Sequence, residues 1–169
     1  MACWEQQTLG KPNRRYQSFE PGDVKAYKMV PRLIPRPLRE IVGAMCFQAL
    51  GYMYDVGEGV AADKALAMKL YRKAWKRGSH AAATNIAILY RETGNKRVMF
   101  RWYQRVALAG DGSAQLEMAK CYISGTGVRR DVQAALQCLA VARTSEYIAE
   151  YEREEAQAML AALKPQLVA

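Results

Sequence analysis

The sequence predicts an all-α fold: a solenoid of about seven antiparallel helices, preceded by an extended N-terminal arm. Three observations lead to this prediction. A five-residue motif that ends in tyrosine occurs three times, a Gly-x-Gly-Val loop occurs twice at a matching distance, and the apolar residues from position 38 onward recur at steps of three and four. Those steps are the period of an amphipathic helix. A repeat of this length is one helix–turn–helix unit, which buries its apolar face only by stacking on its neighbours.

The repeated motifs stay in phase along the chain. The tyrosine motif occupies residues 50–54, 86–90 and 118–122, at intervals of 36 and 32 residues. The glycine loop occupies residues 57–60 and returns 68 residues later at 125–128, each time followed by an aspartate. Since 68 is the sum of the two intervals, both motifs belong to one repeat of three units.

The second unit departs from the other two at its loop. Residues Thr93–Lys96 stand where the others have Gly-x-Gly-Val, and this unit is four residues shorter. We expect a notch in the row of loops there, open to a partner segment or to the N-terminal arm. The alternative is a neutral deletion without a binding role.

The first 37 residues are the predicted arm. Five of the six prolines lie there, and proline both lacks a backbone donor and restricts the residue before it. Residues 24–34 are nevertheless rich in apolar side chains, which a plain disordered tail is not. We expect an extended basic arm that packs on the solenoid.

Seven helices follow the arm, and their ends carry residues that favour helix termini. Aspartate or serine stands where the second, third, fifth and sixth helices begin, with either Asp111 or Ser113 serving the fifth. Glycine follows the second and fourth helices. The expected helices lie near 38–54, 63–78, 79–92, 97–109, 111–123, 131–143 and 145–163.

The last of these helices has the pattern of a terminal cap. Tyr151 and Leu163 lie with other apolar residues on one side, whereas Glu150 and Arg153 lie with other polar residues on the opposite side. A solenoid needs a terminal unit with a polar outer face to stay soluble. The predicted organisation is therefore an arm at 1–37, a three-unit solenoid at 38–143, and a capping helix with a tail at 144–169.

In these motifs the chain resembles the Sel1-like repeat proteins, which are relatives of the tetratricopeptide repeats. The family pattern is Leu-Gly-x-x-Tyr at the end of a first helix, then Gly-x-Gly-Val and Asp, then Ala with aromatic residues on a second helix, then Ala-x-x-Gly. The resemblance covers about residues 42–146. The matching positions are Leu50, Gly51, Tyr54, Gly57, Gly59, Val60, Asp63, Ala67, Tyr71, Ala74 and Gly78 in the first unit; Ala82, Asn85, Ala87, Tyr90, Trp102, Tyr103, Ala107 and Gly110 in the second; and Ala114, Ala119, Tyr122, Gly125, Gly127, Val128, Asp131, Ala135 and Ala142 in the third.

The resemblance implies a right-handed solenoid that binds other proteins. Sel1-like proteins act as adaptors in assembly, degradation and signalling, and small bacterial members act as immunity proteins that block a toxin. In related solenoids the first helices line a concave surface, so the variable positions there are candidate partner-binding residues. Alternatively, some of them are ordinary helix-packing contacts. They are Gln48, Tyr52, Asp55, Thr84, Ile88, Arg91, Leu116, Lys120 and Ile123.

The distribution of charge indicates a second candidate binding surface. The net charge of the whole chain is +9, but it is unevenly distributed along the sequence. Residues 64–105 have a local net charge of +10, whereas those from Thr144 onward have a net charge of −3. Such a basic strip attracts acidic proteins or nucleic acids, unless its side chains only solvate the outer faces of helices. An acidic protein is the better fit, because the nearby aromatic residues that base stacking needs lie at or beside core positions of the repeat. The strip residues are Arg97, Arg101 and Arg105 on one helix, and Lys69, Arg72, Lys73, Lys76 and Arg77 on an earlier one.

No catalytic or metal site is predicted. His80 is the only histidine and the four cysteines lie far apart in the sequence, so no metal cluster and no Ser–His–acid or Cys–His set is recognisable. The glycine loops lack the lysine and serine of a phosphate-binding loop. No apolar run is long enough to span a membrane, and the N-terminus shows no signal-peptide pattern. A reducing cytoplasm is therefore expected.

The sequence thus favours a cytoplasmic, bacterial-type protein-binding module, either an adaptor or a neutraliser of the immunity type. We expect it to hold an acidic protein, such as a toxin, on its concave surface or its basic strip. The alternative is an RNA-binding or other nucleic-acid-binding module that uses residues 64–105. No enzyme activity, cofactor, metal, membrane or small-molecule substrate is expected.

Overall fold

The computed structural model describes residues 36–163, and their side chains from residue 42 onward. Within that range the backbone forms seven α-helices and no strand, which confirms the predicted all-α solenoid. The predicted arm, except its last two residues, and the tail after Leu163 lie outside the described residues. The helices are α1 (Arg36–Val56), α2 (Lys64–Trp75), α3 (His80–Glu92), α4 (Lys96–Ala107), α5 (Gly112–Ser124), α6 (Val132–Thr144) and α7 (Glu150–Leu163).

Helices α2 to α6 each begin with a side-chain cap. In each, a capping oxygen accepts a hydrogen bond from the backbone N–H three residues later, at 2.8 to 3.4 Å. Asp111, rather than Ser113, caps α5, and Asn95, which the repeat motifs do not single out, caps α4. Each such cap stabilises a helix by about 1 kcal/mol, so these residues determine where the helices start. The capping residues are Asp63, Ser79, Asn95, Asp111 and Asp131.

Helix α7 begins at Glu150, five residues later than the sequence predicts. The segment before it bonds instead to the turn between α4 and α5. The Ser145 hydroxyl donates to the Gly110 carbonyl at 2.9 Å, and the Gly112 amide donates to the Tyr147 carbonyl at 2.8 Å. These bonds compete with helix formation and hold the segment against the third unit.

Two residues of α7 lie on the side opposite to the predicted one. Tyr151, expected on the apolar side, is 71% exposed. Arg153, expected on the outer face, points inward, and its guanidinium donates to the carbonyls of Arg143 at 3.1 Å and Ser145 at 3.2 Å. Those carbonyls lie at the C-terminus of α6, where they have no partner within the helix and where a cation is favoured. Their need for a donor, rather than the amphipathic pattern, places Arg153.

Each helix packs mainly on its neighbours along the chain, as a solenoid requires. Buried alanines of α2 to α6 bring the helices close together around large residues such as Tyr71, Tyr103 and Leu139. Gly51 allows a close approach of α1 to α2, because a Cβ added there would lie 2.6 Å from ring atoms of Tyr71. Helix α7 joins the same core through Ala156 and Leu163.

The chain itself closes the row of loops on one side of the shorter second unit. Gly127, in the loop of the third unit, has a φ of +76°, and a Cβ added there would lie 2.1 Å from the Lys96 carbonyl oxygen. The loop at 125–128 therefore lies directly on the first turn of α4. On this side the expected notch is filled, because the short connection at 93–95 leaves α4 within reach of the next loop.

Candidate partner-binding site

The predicted positions of the second unit line one concave pocket. Thr84, Ile88 and Arg91 follow one face of α3, and residues of α4, α5 and α7 complete a pocket of about 200 Å³, which we call the groove. Five of its lining residues carry polar groups that a partner can contact. The lining consists of Thr84, Ile88, Arg91, Tyr103, Ser113, Ala114, Glu117 and Glu152.

The floor of the groove is apolar. Ile88 is partly exposed there, and Tyr103 lies beneath it with almost no exposed surface. Burial, together with the nearby charge of Glu117, raises the pKa of Tyr103 to about 12. The phenol therefore stays neutral near pH 7, and the charge of the groove comes from its rim.

The rim carries an ion-pair network. A nitrogen of Arg91 lies 3.7 Å from Glu117, and the Lys120 ammonium lies 3.0 Å from both Glu117 and Glu155. Burial alone would lower the pKa of Lys120, but its hydrogen bonds to the two glutamates raise it. Lys120, a predicted partner contact, is thus engaged within the chain. Partly exposed ion pairs contribute about 0–1 kcal/mol each, so charged groups of a partner can replace them.

Three polar lining residues have no counterpart among the predicted contacts. Ser113 donates to Glu152 at 2.5 Å, and Glu117 lies one turn before Lys120. Comparison of equivalent repeat positions points to Lys120 but not to Ser113 or Glu117, which face α3 from the next unit. Glu152 carries no repeat signal, because α7 lies beyond the third unit.

The predicted partner contacts of the first unit, Gln48, Tyr52 and Asp55, do not line the groove. Two of them form hydrogen bonds within the fold. Gln48 accepts a hydrogen bond from Ser79 at 2.6 Å. Asp55 accepts one from the Tyr71 hydroxyl at 3.2 Å and pairs with Lys64 at 2.5 Å. The Lys64 ammonium also lies 3.0 Å from the Glu92 carboxylate, and its hydrogen bonds to Asp55 and Glu92 raise the pKa of Lys64. Tyr52, in contrast, is largely exposed on α1.

Two further groove predictions fail or weaken in the structure. Leu116 is 1% exposed and belongs to the core, so its prediction as a groove position is wrong. Ile123 is half-buried and packs against the same core. The reason is that α5 packs against α4, α6 and α7. It therefore has less exposed surface than α1, the first helix of the first unit.

The basic strip lies on the second helices of the first two units. All eight strip residues are exposed, and none forms an ion pair with a described carboxylate. Trp75 of α2 meets Trp102 of α4 edge to face, with ring centroids 5.8 Å apart, so the two basic helices adjoin. The Arg105 guanidinium lies 4.5 Å over the Trp102 ring, which is itself buried in the core.

The described residues contain no group of three side chains that could hold a metal ion. Cys46, Cys121 and Cys138 are buried free thiols, and burial raises the pKa of Cys121 to about 11. His80 is exposed beside the Trp75 ring. None of the described helices combines the length and the apolar character needed to cross a bilayer.

Comparison with known proteins finds a known repeat in two parts of the chain. The model of the Sel1 repeat matches residues 48–79 and 112–143, the first and third units. A Sel1 repeat protein from Oxalobacter formigenes is 24% identical with a TM-score of 0.63, over 83% of this chain and 52% of that one. A protective antigen of uropathogenic Escherichia coli strains, displaying an SLR fold, is 21% identical with a TM-score of 0.67, over 88% of this chain and 35% of that one. No curated protein matches the chain.

The chain spans about half the length of the first solved structure and about a third of the second, and at these identities the likeness concerns the fold alone. Sel1 repeat proteins generally mediate protein–protein interactions and are typically non-catalytic scaffolds. The second unit lies between the two matched repeats and forms the same helix pair from α3 and α4. The chain therefore contains two Sel1 repeats, which a shorter helix pair separates.

Proposed function

We propose that this chain is a non-catalytic protein-binding module that holds a segment of one protein partner in the groove. The observation that carries the proposal is the meeting of four helices around one concave site. Thr84, Ile88 and Arg91 of α3 face Glu117 of α5 and Glu152 of α7 there. An apolar floor inside a polar rim is the usual anatomy of a protein interface.

The size of the groove supports a protein partner. Pockets that enclose small ligands measure about 300–1,000 Å³, whereas the groove measures about 200 Å³. It therefore suits one anchoring side chain of a larger partner. Arg91, whose side chain is 55% exposed, stands at the rim, and arginine is among the residues most often found at interface hot spots.

A second candidate function uses the basic strip to hold an acidic partner. It is favoured by the exposed strip cations, which have no carboxylate partner among the described residues. An acidic protein fits better than a nucleic acid, because the indole of Trp102 is buried and covered by Arg105. Sequence-tolerant nucleic-acid binding ordinarily adds exposed aromatic faces on which bases stack.

The test is affinity purification from a lysate of the source cells, with and without nuclease and in high salt, read by mass spectrometry. Four baits are compared: the unchanged chain, Ile88→Glu in the groove, the triple change of Arg97, Arg101 and Arg105 to Glu in the strip, and Val141→Glu as the control. Val141 is an exposed apolar residue of α6 outside both surfaces. Circular dichroism checks that every bait is folded.

If the groove binds the partner, we expect one dominant captured protein. All baits except Ile88→Glu should retain this protein after nuclease treatment. Retention by Ile88→Glu and loss with the triple change would move the function to the strip. Loss of all captured material on nuclease treatment would contradict protein binding and favour nucleic acid. The mass of the purified complex then separates the two proposed roles: a neutraliser forms a tight stoichiometric complex with one protein, whereas an adaptor bridges two or more.

A further inference from the structure

The first helix carries an apolar stripe that is largely exposed. Met45, Tyr52 and Val56 are 65%, 51% and 54% exposed, and Ala49 between them is partly exposed. Steps of four, three and four residues place them on one side of α1. We call these four residues the stripe. The stripe gathers three of the seven large hydrophobic side chains that are exposed in the described part of the chain.

The repeat register shows what this side of α1 corresponds to in the third unit. Sixty-eight residues after the first three members of the stripe stand Ser113, Glu117 and Lys120. There Ser113 and Glu117 face α3, the first helix of the preceding unit, and Glu117 lies 3.7 Å from Arg91. Ser113 and Lys120 on the same side also bond to Glu152 and Glu155 of α7, so other helices of the chain cover this side of α5. In the first unit that side is apolar instead of charged.

We infer that residues 24–34 of this same chain cover the stripe. A single residue, Pro35, separates the segment from α1, so the segment stays close to this helix. With a rise of about 1.5 Å per residue, the stripe extends from about 14 to about 30 Å along α1 from Arg36. Eleven extended residues span about 36 Å, so a segment that folds back along α1 reaches the whole stripe. Its large apolar residues are Val24, Tyr27, Met29, Val30, Leu33 and Ile34.

This assignment also matches the needs of the fold. Both ends of a solenoid require a cap, because the outermost units otherwise expose the face that neighbours bury. Helix α7 covers the third unit in this way through Ala156 and Leu163. On the first unit, residues 24–34 bring six large apolar side chains over about 36 Å when extended, which is enough to cover the four residues of the stripe over about 16 Å.

The experiment uses the full chain with Tyr52 replaced by the photo-reactive residue p-benzoylphenylalanine. After irradiation, mass spectrometry maps the cross-linked peptides. The control places the same residue at Tyr151, which is at least as exposed but lies on α7. We expect position 52 to cross-link within the chain to residues 24–34 at a yield independent of protein concentration. We expect position 151 not to do so, and the cross-link to be lost when Tyr27→Asp and Val30→Asp are added.

Cross-links between two molecules, rising with concentration, would show that a second copy covers the stripe and would overturn the inference. The absence of any cross-link to residues 24–34 would overturn it as well. Hydroxyl-radical footprinting of the unmodified full chain gives an independent reading. Met45 is expected to be oxidised as slowly as the buried Met53, and oxidation of a monomer at the rate of a free methionine would contradict the inference.

Discussion

Replacing Gly127 with alanine tests the close approach between the third loop and α4. At a φ of +76°, an alanine is strained by roughly 1–2 kcal/mol. Its Cβ would also lie 2.1 Å from the carbonyl oxygen of Lys96 and 2.6 Å from the carbonyl carbon. These are backbone atoms of the first turn of α4, which Asn95 caps, so they cannot move aside as a flexible side chain would. Such overpacking costs a further 1–3 kcal/mol or so, and we expect a total loss of about 2–5 kcal/mol in the free energy of unfolding.

The chain offers a matched control at Gly94. This residue also has a φ of +76°, but a Cβ added there would meet nothing within 4 Å. Gly94→Ala should therefore lose only the conformational part, roughly 1–2 kcal/mol. Urea unfolding of both variants, followed by circular dichroism of the helices, measures the difference. Equal losses in the two variants would refute the reasoning, because the contact with Lys96 would then contribute nothing.

Three further predictions concern a cap, a buried phenol and the thiols. Asp131→Ala should lower the free energy of unfolding by about 1 kcal/mol in urea, because the Ala134 amide loses its acceptor at 2.9 Å, and Asp131→Asn should retain most of it. Stability should fall as the pH rises from about 10 towards 12, since burial raises the pKa of Tyr103 to about 12 and the unfolded chain ionises first. Melting temperatures across that range should fall less steeply for Tyr103→Phe, and an unchanged slope would contradict the assignment. The thiols of Cys46, Cys121 and Cys138 should react slowly with a thiol reagent until urea unfolds the chain, because burial raises their pKa values. Mass spectrometry of the labelled peptides measures the rate at each cysteine.

The sequence predicts the helices well because their signals are local. Apolar spacing and capping residues act within one or two turns, so Asp63 and Ser79 mark helix starts that the structure reproduces. The start of α7 depends instead on distant partners. Ser145 bonds to Gly110 across the third unit, and no pattern within 145–163 indicates that bond. Predictions are therefore weakest where hydrogen bonds across the fold compete with helix formation.

The candidate site is predictable only in part for the same reason. Thr84, Ile88 and Arg91 share a helix face, so their meeting follows from helical spacing and repeat register. Leu116 holds an equivalent register position but lies in the core, because α5 has neighbours on more sides than α1 has. Glu152 enters the groove from outside the repeat, where register gives no information. Repeat register identifies the face of a helix, but tertiary packing decides which parts of that face remain open.

The position of α7 limits how freely the units of this protein can be exchanged or extended. Glu152 lines the groove and Glu155 pairs with Lys120 at its rim, so a helix outside the three repeat units also supplies part of the proposed recognition surface. An engineer who inserted a fourth unit after α6 would displace both carboxylates and leave Ser113 and Lys120 facing new neighbours. Lengthening the array and keeping its specificity are thus competing aims in this chain. A redesign would need to copy Glu152 and Glu155 onto the new unit.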